Sequence, residues 1–479
     1  MLFNSWQFAL FFPVVFALYW SLPHKFRVWL LLIASYYFYM SWNVKYVVLI
    51  LFTTLVSYFA ALLLERTNSL RTKKIILTVS LVACLGVLFV FKYFNFFAGA
   101  VVDFLNMFAL KLHPTTLKLL LPVGISFYTF QTLGYVIDVY RGTTKPERNL
   151  GVYATFISFF PQLVAGPIER TNNLLPQIKA VHEFDYAQAV YGVKLMTWGF
   201  FKKLAVADVL AEYVDKVFAD VYACKGFALL VAVGFFAVQI YCDFSGYSDI
   251  ARGCSKMLGI ELMENFRSPY FSASIHEFWS RWHISLSTWF RDYVYIPLGG
   301  NRVSKFRHNV NLMLTFIVSG LWHGASWTFV VWGAVHGLAQ VIENACTSRK
   351  SEPHGFARVV RTAGTFVFVM FAWVFFRAQN LSEAVHVLSN LMAGCSDFMQ
   401  YLKNGVADIN LQWKQQLPVF ALNFLMLSLW DYFSLHYDIL ASVTSSKHRS
   451  LRYVFYFVLL NALLLFRGVS NTEFVYFQF

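Results

Sequence analysis

Two histidines lie in a stretch that is apolar enough to enter a membrane. The stretch covers residues 316–337, FIVSGLWHGASWTFVVWGAVHG, and His323 and His336 are its only ionisable side chains. Removal from water disfavours the charged form of an imidazole, so such a ring is expected to be neutral. A neutral imidazole can accept a proton and serve as a general base. The alternative is a core histidine that hydrogen-bonds to a backbone carbonyl.

Phosphate-binding chemistry is indicated in a second segment, residues 274–302, SIHEFWSRWHISLSTWFRDYVYIPLGGNR. Arg281 and Arg291 are natural partners for phosphate, because a guanidinium group can donate two parallel hydrogen bonds. On one continuous helix, His283 would lie on an apolar stripe with Phe290. Two interpretations stay open: an interfacial helix in an aromatic belt, and a re-entrant helix that lines the entry for an anionic substrate.

Two acidic residues follow an apolar run in a third segment, residues 239–253, QIYCDFSGYSDIARG. Acids within membrane segments usually face the protein interior, where they mark a substrate pathway or form ion pairs. Asp243 and Asp249 are therefore candidates for substrate binding. The alternative is simple pairing with Arg252 or Arg267 near the membrane boundary.

The composition identifies the class of protein that must position these residues. The 479-residue chain is 58% hydrophobic and 13% charged, whereas soluble domains carry about 25% charged residues. Apolar stretches near the ~20 residues needed to cross a bilayer recur along the chain. These stretches have the length of helices. Lipid offers no hydrogen-bond partner to the backbone, so each segment must satisfy its own N–H and C=O groups, as a helix does. We predict an all-α polytopic membrane protein with about 10–12 transmembrane helices plus re-entrant or interfacial helices.

Residue counting separates the two histidines of the first stretch. Residues 310–346 are too many for one crossing, so we predict two helices with a turn near Gly324. The first helix would contain about 15 residues and extend ~22 Å, which places His323 at its end, among tryptophans. One of them, Trp322, is a further candidate for substrate binding. His336 would lie inside the second helix, where we expect a structural role.

The basic charge is distributed as in membrane proteins. Six short segments between apolar runs hold 19 of the 39 Lys and Arg residues, as the positive-inside rule expects of cytoplasmic loops. The segments are 21–27, 65–74, 141–148, 301–307, 347–361 and 447–452. No soluble basic domain accompanies them, so the net charge of +14 does not indicate nucleic-acid binding.

The chain is interpreted as a single transmembrane domain over residues 1–479. Residues 141–188 and 249–308 are too polar for simple crossings and too aromatic for ordinary loops, which is typical of re-entrant or interfacial segments. Residues 379–415 contain few basic side chains and are predicted to form an external loop.

Standard catalytic motifs are absent from the sequence. It contains no G-x-S-x-G elbow, phosphate-binding loop, G-x-G-x-x-G or H-E-x-x-H. The six cysteines show no C-x-x-C spacing, and we expect no metal site. A general-base histidine that acts on two bound substrates stays open.

Several segments resemble the membrane-bound O-acyltransferase superfamily, and within it the branch that contains the membrane component of alginate O-acetylation. The resemblance runs along the whole chain and is most specific where RWHISLSTWFRDYVYIPLGG and GLWHG occur together. The matching segments are LPVGISFYTFQTLGYVIDVYRG (121–142), FFPQLVAGPIER (159–170), IYCDFSGYSDIARG (240–253), NFRSPYFSASIHEFWSRWHISLSTWFRDYVYIPLGGNR (265–302), GLWHGASWTFVVWG (320–333) and FVYFQF (474–479).

The resemblance implies a membrane-embedded tunnel at the centre of the helices. His323 matches the near-invariant histidine of the family and His283 its second motif histidine. The implied donor is acetyl-CoA, bound as a substrate rather than a tight cofactor. The resemblance further implies the cytoplasmic (inner) membrane of a bacterium, a polysaccharide acceptor and a separate extracytoplasmic acetyltransferase partner.

Three alternatives stay open. A relative transfers D-alanine from a carrier protein to teichoic acid, and the sequence does not exclude that donor. A transporter or flippase would also explain intramembrane Asp and His residues, although the two repeated halves usual in transporters are not seen. A scaffold for polysaccharide export would leave both histidines freely replaceable.

Overall fold

The computed structural model describes residues 1–108, 110–346, 354–408, 411–445, 449–465 and 474, and within these ranges every regular element is helical. The prediction of an all-α membrane protein is confirmed. The α-helices in chain order are α1 Trp6–Ser21, α2 His24–Met40, α3 Val47–Arg66, α4 Leu70–Leu88, α5 Phe94–Asn106, α6 Ile125–Arg141, α7 Leu150–Ser158, α8 Phe160–Leu163, α9 Thr171–Lys179, α10 Tyr186–Phe200, α11 Asp208–Ala219, α12 Phe227–Met257, α13 Ile275–Arg281, α14 Ile284–Phe290, α15 Lys305–His323, α16 Trp327–Cys346, α17 Gly355–Arg377, α18 Leu381–Asn390, α19 Phe398–Asp408, α20 Leu411–Ser434, α21 Ile439–Ser445 and α22 Arg449–Leu465.

Four helical stretches in the described part are long and apolar enough to cross a membrane: Val44–Arg66, Leu70–Asn106, Phe227–Met257 and Gly355–Arg377. Other predicted crossings coincide with helices that are shorter or more polar, and the total of ten to twelve stays a prediction. The predicted turn near Gly324 is confirmed, because α15 ends at His323 and α16 begins at Trp327. The predicted length of the first helix is wrong. It begins at Lys305 and has 19 residues, or ~28 Å, because polar residues before 310 extend it.

Two predicted non-crossing segments contain short helices. Residues 141–188 hold α7, α8 and α9, and residues 249–308 hold α13 and α14 after the end of α12. Residues 379–415 contain α18 and α19, while 409 and 410 lie outside the described residues. The membrane placement of all three segments stays a prediction, as does the cytoplasmic placement of loop 347–361. Of that loop, residues 347–353 lie outside the described residues and residues 355–361 belong to α17.

The chain contacts divide the protein into two compact units. Unit 1 comprises residues 1–196 and 250–263, and unit 2 comprises residues 197–249 and 264–479. In unit 1, the side chain of Gln177 on α9 accepts a hydrogen bond from the Glu261 amide and donates one to the Glu261 carbonyl. This pairing fixes the loop that follows α12.

Unit 2 contains a buried ion-pair network, in which both predicted acids take part. Lys202 binds Asp249 at 2.6 Å, and Lys203 binds Asp243 at 2.6 Å and Asp208 at 2.9 Å. Neither lysine could be identified as a partner from the sequence, because both lie in a π-helical segment, Phe201–Ala207, distant from the acids in the chain. Arg267, considered above as a partner, instead binds Glu264.

A glycine allows these ions to approach each other. A Cβ atom at Gly246 of α12 would lie 2.8 Å from the Gly199 carbonyl oxygen and 3.2 Å from the Lys203 amide nitrogen. Both neighbours are backbone atoms and cannot rotate away. Gly246 therefore holds α12 against the π-helical segment, at the distance that lets Lys203 reach Asp243.

We expect Gly246→Ala to destabilise the protein, since overpacking a tight contact costs about 1–3 kcal/mol. Gly234→Ala, in the same helix, is the matched control, because its Cβ would meet only the Met370 sulfur, at 4.0 Å. The measurement is thermal unfolding of the purified protein in detergent. Equal melting temperatures for the two variants would contradict the proposed close contact.

Candidate active site

His283 lies at a break between two short helices. Helix α13 ends at Arg281 and α14 begins at Ile284, and His283 between them has φ 43° and ψ 53°, in the left-handed region. The predicted continuous helix with His283 on its apolar stripe is therefore wrong. The residue is nevertheless fully buried, as its neighbours in the sequence indicated.

The side chain and backbone of Asn265 hold this turn. Its carbonyl accepts a hydrogen bond from the Ile284 amide at 3.0 Å, and its Oδ1 accepts from the Ser285 amide at 3.3 Å and hydroxyl at 2.6 Å. Its Nδ2 donates to the Ser248 hydroxyl at 3.3 Å. A left-handed residue other than glycine costs about 1–2 kcal/mol, so these bonds to the two following residues stabilise the conformation of His283.

Sequence reasoning missed Asn265 as a functional residue. The available signal was its place at the start of NFRSPY, 18 residues before His283 in the motif 265–302. An asparagine side chain that accepts and donates at once is suited to a buried turn. Asn265 is 1% exposed, so its hydrogen bonds must be made with protein groups rather than with water.

His323 is the last residue of α15, and close helix packing fixes its position. A Cβ at Gly320 would lie 2.2 Å from the Phe329 carbonyl oxygen, and one at Gly324 would lie 2.1 Å from the Phe329 ring. Only glycine permits α16 to approach α15 this closely. His323 is 4% exposed and packs edge-on against Trp332, with ring centroids 5.2 Å apart.

The two motif histidines meet inside unit 2. The ring centroids of His283 and His323 are 6.5 Å apart, and Trp322 lies 6.1 Å from the first and 4.9 Å from the second. Phe244 packs edge-on against His283 at 4.6 Å. A reacting group placed between the two rings could contact both, since catalytic hydrogen bonds span about 2.6–3.2 Å.

The predicted acids lie beside this pair rather than in it. Asp243 precedes Phe244 in α12, and its carboxylate binds Lys203. Asp249 lies further along the helix and binds Lys202. Their positions indicate that they hold α12, and with it Phe244, in place.

The predicted arginines do not come together. Arg281 binds Glu277 at 2.6 Å, and the same Glu277 oxygen binds Arg358 of α17 at 3.0 Å. Arg291 binds its neighbour Asp292, and its side chain is 59% exposed. The arginine that shares Glu277 with Arg281 is thus Arg358, whose position 77 residues later carries no signal in the sequence.

His336 lies inside α16, as predicted, and is fully buried. Its hydrogen-bond partner is not the expected backbone carbonyl. Instead, the indole Nε1–H of Trp279 donates to its Nδ1 at 3.3 Å. Trp332 packs against both His336 and His323, at 5.0 and 5.2 Å.

One residue of the C-terminal motif is described. Phe474 is buried and packs against Phe244 at 5.9 Å and Tyr247 at 5.0 Å. The rest of that motif, residues 475–479, lies outside the described residues. Among the residues that are described, no three His, Cys, Asp or Glu side chains could together hold a metal ion, and the absence of a metal stays a prediction.

Comparison with known proteins identifies the family. Residues 148–382 match the model of MBOAT, the membrane-bound O-acyltransferase family, and this range contains both motif histidines and Asn265. A protein named "Probable alginate O-acetylase AlgI" from Azotobacter vinelandii is 44% identical over 80% of this chain and 76% of its own length. A peptidoglycan O-acetyltransferase from Helicobacter pylori is 36% identical over 82% of this chain and 80% of its own.

A more distant relative extends the range of acyl groups. A teichoic acid D-alanyltransferase from Streptococcus thermophilus is 32% identical over 53% of this chain and 65% of its own length. The names of the three relatives describe acetyl transfer for alginate, acetyl transfer for peptidoglycan and D-alanyl transfer for teichoic acid. The chain belongs to the membrane-bound O-acyltransferase family and is a membrane-embedded acyltransferase.

Proposed function

We propose that this enzyme transfers an acetyl group from cytoplasmic acetyl-CoA across the bacterial inner membrane for O-acetylation of an extracytoplasmic polysaccharide such as alginate. The observation that carries the proposal is the buried pair of His283 and His323, 6.5 Å apart. The relatives named for alginate share 43–44% identity over about four fifths of the chain, which favours acetyl over D-alanyl transfer. A separate extracytoplasmic acetyltransferase is the expected partner.

In the proposed mechanism, His323 is the general base. Its neutral ring accepts the proton of the attacking hydroxyl as that oxygen bonds to the thioester carbonyl carbon. The carbon–sulfur bond then breaks, and the leaving thiolate takes the proton back from the imidazolium. A base of this kind contributes about 10²–10⁴-fold to the rate.

His283 supports the charge that develops on the carbonyl oxygen. A ring N–H that is fixed in a dry site stabilises an oxyanion without reorganisation, which makes such donors effective. The left-handed turn at His283 holds the ring in place before substrate arrives. The surrounding Phe244 and Trp322 rings exclude water from the reacting groups.

Arg281 and Arg358 are suited to bind the donor phosphates. They converge on Glu277, so the three groups carry a net positive charge. Arg358 lies in the first turn of α17, whose basic flank is expected in the cytoplasm. Phe376 in the same helix contacts His323 and lies 18 residues, or ~27 Å of helix, further on. The thioester at the end of the donor's arm would extend from these arginines along α17 to His323.

We expect His323→Ala to lose acetyl transfer by about 10²–10⁴-fold, because the hydroxyl loses its general base. The measurement supplies isotope-labelled acetyl-CoA inside sealed vesicles and follows label bound covalently to an external acceptor. His308→Ala, a histidine in the same helix far from the pair, is the matched control and should transfer normally. Normal transfer by His323→Ala would refute the assignment, and label that crosses only as an intact molecule would identify a transporter.

Asn265→Ala should lower kcat by about 10²-fold, since misplacement of a catalytic group by 1 Å can cost that much. KM for the donor should change little, because Asn265 orients His283 rather than binding substrate. Asn311→Ala is the matched control, because Asn311 is equally buried and its side chain also bonds to the backbone of a loop, donating to the carbonyls of Leu298 and Gly300. An equal loss of kcat in the control would show a general structural effect.

Arg358→Ala should raise KM for acetyl-CoA by about 10-fold or more, as expected for loss of a charged hydrogen bond worth about 1.5–3 kcal/mol. KM for S-acetylpantetheine, which lacks the phosphates, should stay the same. Arg361→Ala, an exposed arginine in the same helix, is the control. A similar KM increase for both donors would contradict phosphate binding by Arg358.

A further inference from the structure

Three buried N–H groups in unit 2 have no acceptor in the part of the chain that the structure describes. They are Nε2 of His336 and Nε1 of Trp332 and of Trp373. All three side chains are 0% exposed. Buried polar groups are nearly always hydrogen-bonded, because an unsatisfied group has lost its bonds to water without gaining others. Three in one place call for a physical reason.

The hydrogen bond from Trp279 determines the tautomer of His336. The indole N–H donates to Nδ1 of His336, so Nδ1 carries a lone pair. A neutral imidazole has one protonated nitrogen, which must then be Nε2. Nε2 of His336 is therefore a hydrogen-bond donor.

The three donors belong to one cluster of rings. Trp332 lies 5.0 Å from His336 and 5.6 Å from Trp373, and His336 lies 6.5 Å from Trp373. The other rings packed on His336 are those of Phe278 and Phe368, which offer no acceptor. A single water molecule can accept at most two hydrogen bonds, and its own two O–H groups would find no acceptor among these rings, so it satisfies the cluster poorly. A ligand with an apolar body and carbonyl oxygens fits better.

The cluster lies between the proposed phosphate site and the catalytic pair. Helix α13 runs along α16, since the Ile275 amide binds the Glu343 side chain and Trp279 binds His336. Glu277 of α13 contacts Arg281 and Arg358 at one end. At the other end Trp332 contacts His323. A molecule that extends from the arginines to His323 would pass the three donors.

We propose that His336, Trp332 and Trp373 bind the amide carbonyl oxygens in the pantetheine arm of the acyl donor. This inference rests on the proposed function, because it assumes a thioester donor. The arm is largely apolar and carries two amide groups, whose oxygens accept hydrogen bonds. It is common to coenzyme A and to carrier proteins, so the cluster recognises the chemistry that both donors share.

The test compares donors with and without amide groups on purified, reconstituted enzyme. His336→Phe keeps a ring in the cluster and removes the N–H donor. We expect KM for acetyl-CoA to rise about 10-fold, as for loss of one buried hydrogen bond, with kcat unchanged. KM for S-acetylbutanethiol, a thioester without amides, should not change. His336→Gln can accept from Trp279 and still donate, and should restore KM.

A second variant and a control separate binding from folding. Trp373→Phe removes one N–H with little loss of ring packing and should raise KM for acetyl-CoA in the same selective way. Trp198→Phe changes another fully buried tryptophan of unit 2, which stacks on Trp430, and should leave KM unaltered. Equilibrium binding of labelled coenzyme A should weaken by the same factor as KM rises, independently of catalysis.

The outcomes are distinguishable. If the unmodified enzyme transfers acetyl from acetyl-CoA but His336→Phe keeps its KM, the carbonyl-binding cluster is refuted and the proposed function stands. A rise in KM that is equal for S-acetylbutanethiol would also refute it, because the effect would be structural. If the unmodified enzyme uses no thioester at all, the proposed function itself fails. A lower KM for an acetylated carrier protein than for acetyl-CoA would identify the carrier as the source of the arm.

Discussion

The left-handed turn at His283 is the constraint on which the candidate active site depends. A side chain in that conformation is unfavourable by about 1–2 kcal/mol, and it persists only where the surroundings over-determine it. Asn265 supplies three of the bonds that do so, to the two residues after His283. Without this break, α13 and α14 would continue as one helix and the imidazole would follow the helical stripe. The break turns the ring toward His323.

Close backbone approach supports the other half of the pair. Glycines at 320 and 324 let α16 pack against the end of α15, and Trp332 from α16 then fixes the His323 ring. The same device recurs at Gly246, where α12 meets the π-helical segment with its two lysines. Those lysines and their aspartates are buried as pairs, since an unpaired charge in such a place would be far more costly than the pair. Close packing of helices and rings thus fixes the orientation of these buried polar groups.

The aromatic surroundings exclude water and thereby strengthen the interactions that the polar groups make. Hydrogen bonds and charges act more strongly where water is excluded, which favours the roles proposed for His283 as oxyanion donor and for His323 as proton acceptor. The same exclusion of water makes hydrogen-bond donors without an acceptor destabilising. Within the described part of the chain, His336, Trp332 and Trp373 place three such donors in one cluster. Groups that are costly in isolation become favourable when a ligand supplies the acceptors. With the proposed carbonyl binding, the enzyme would gain specificity for its donor from groups for which the sequence predicts a structural role.

The sequence by itself determined the class, the helical fold and the identity of the two motif histidines. Composition and run length report directly on the solvent and on the secondary structure, and residue counting placed the turn after His323. Only the tertiary structure decided the partners: Lys202 and Lys203 for the two acids, Arg358 beside Arg281, Trp279 on His336 and Asn265 beneath His283. Each of these contacts joins residues distant in the chain, through a π-helical segment, a broken helix or a glycine contact. Local periodicity carries no information about such contacts, because they depend on which helices pack together and how closely.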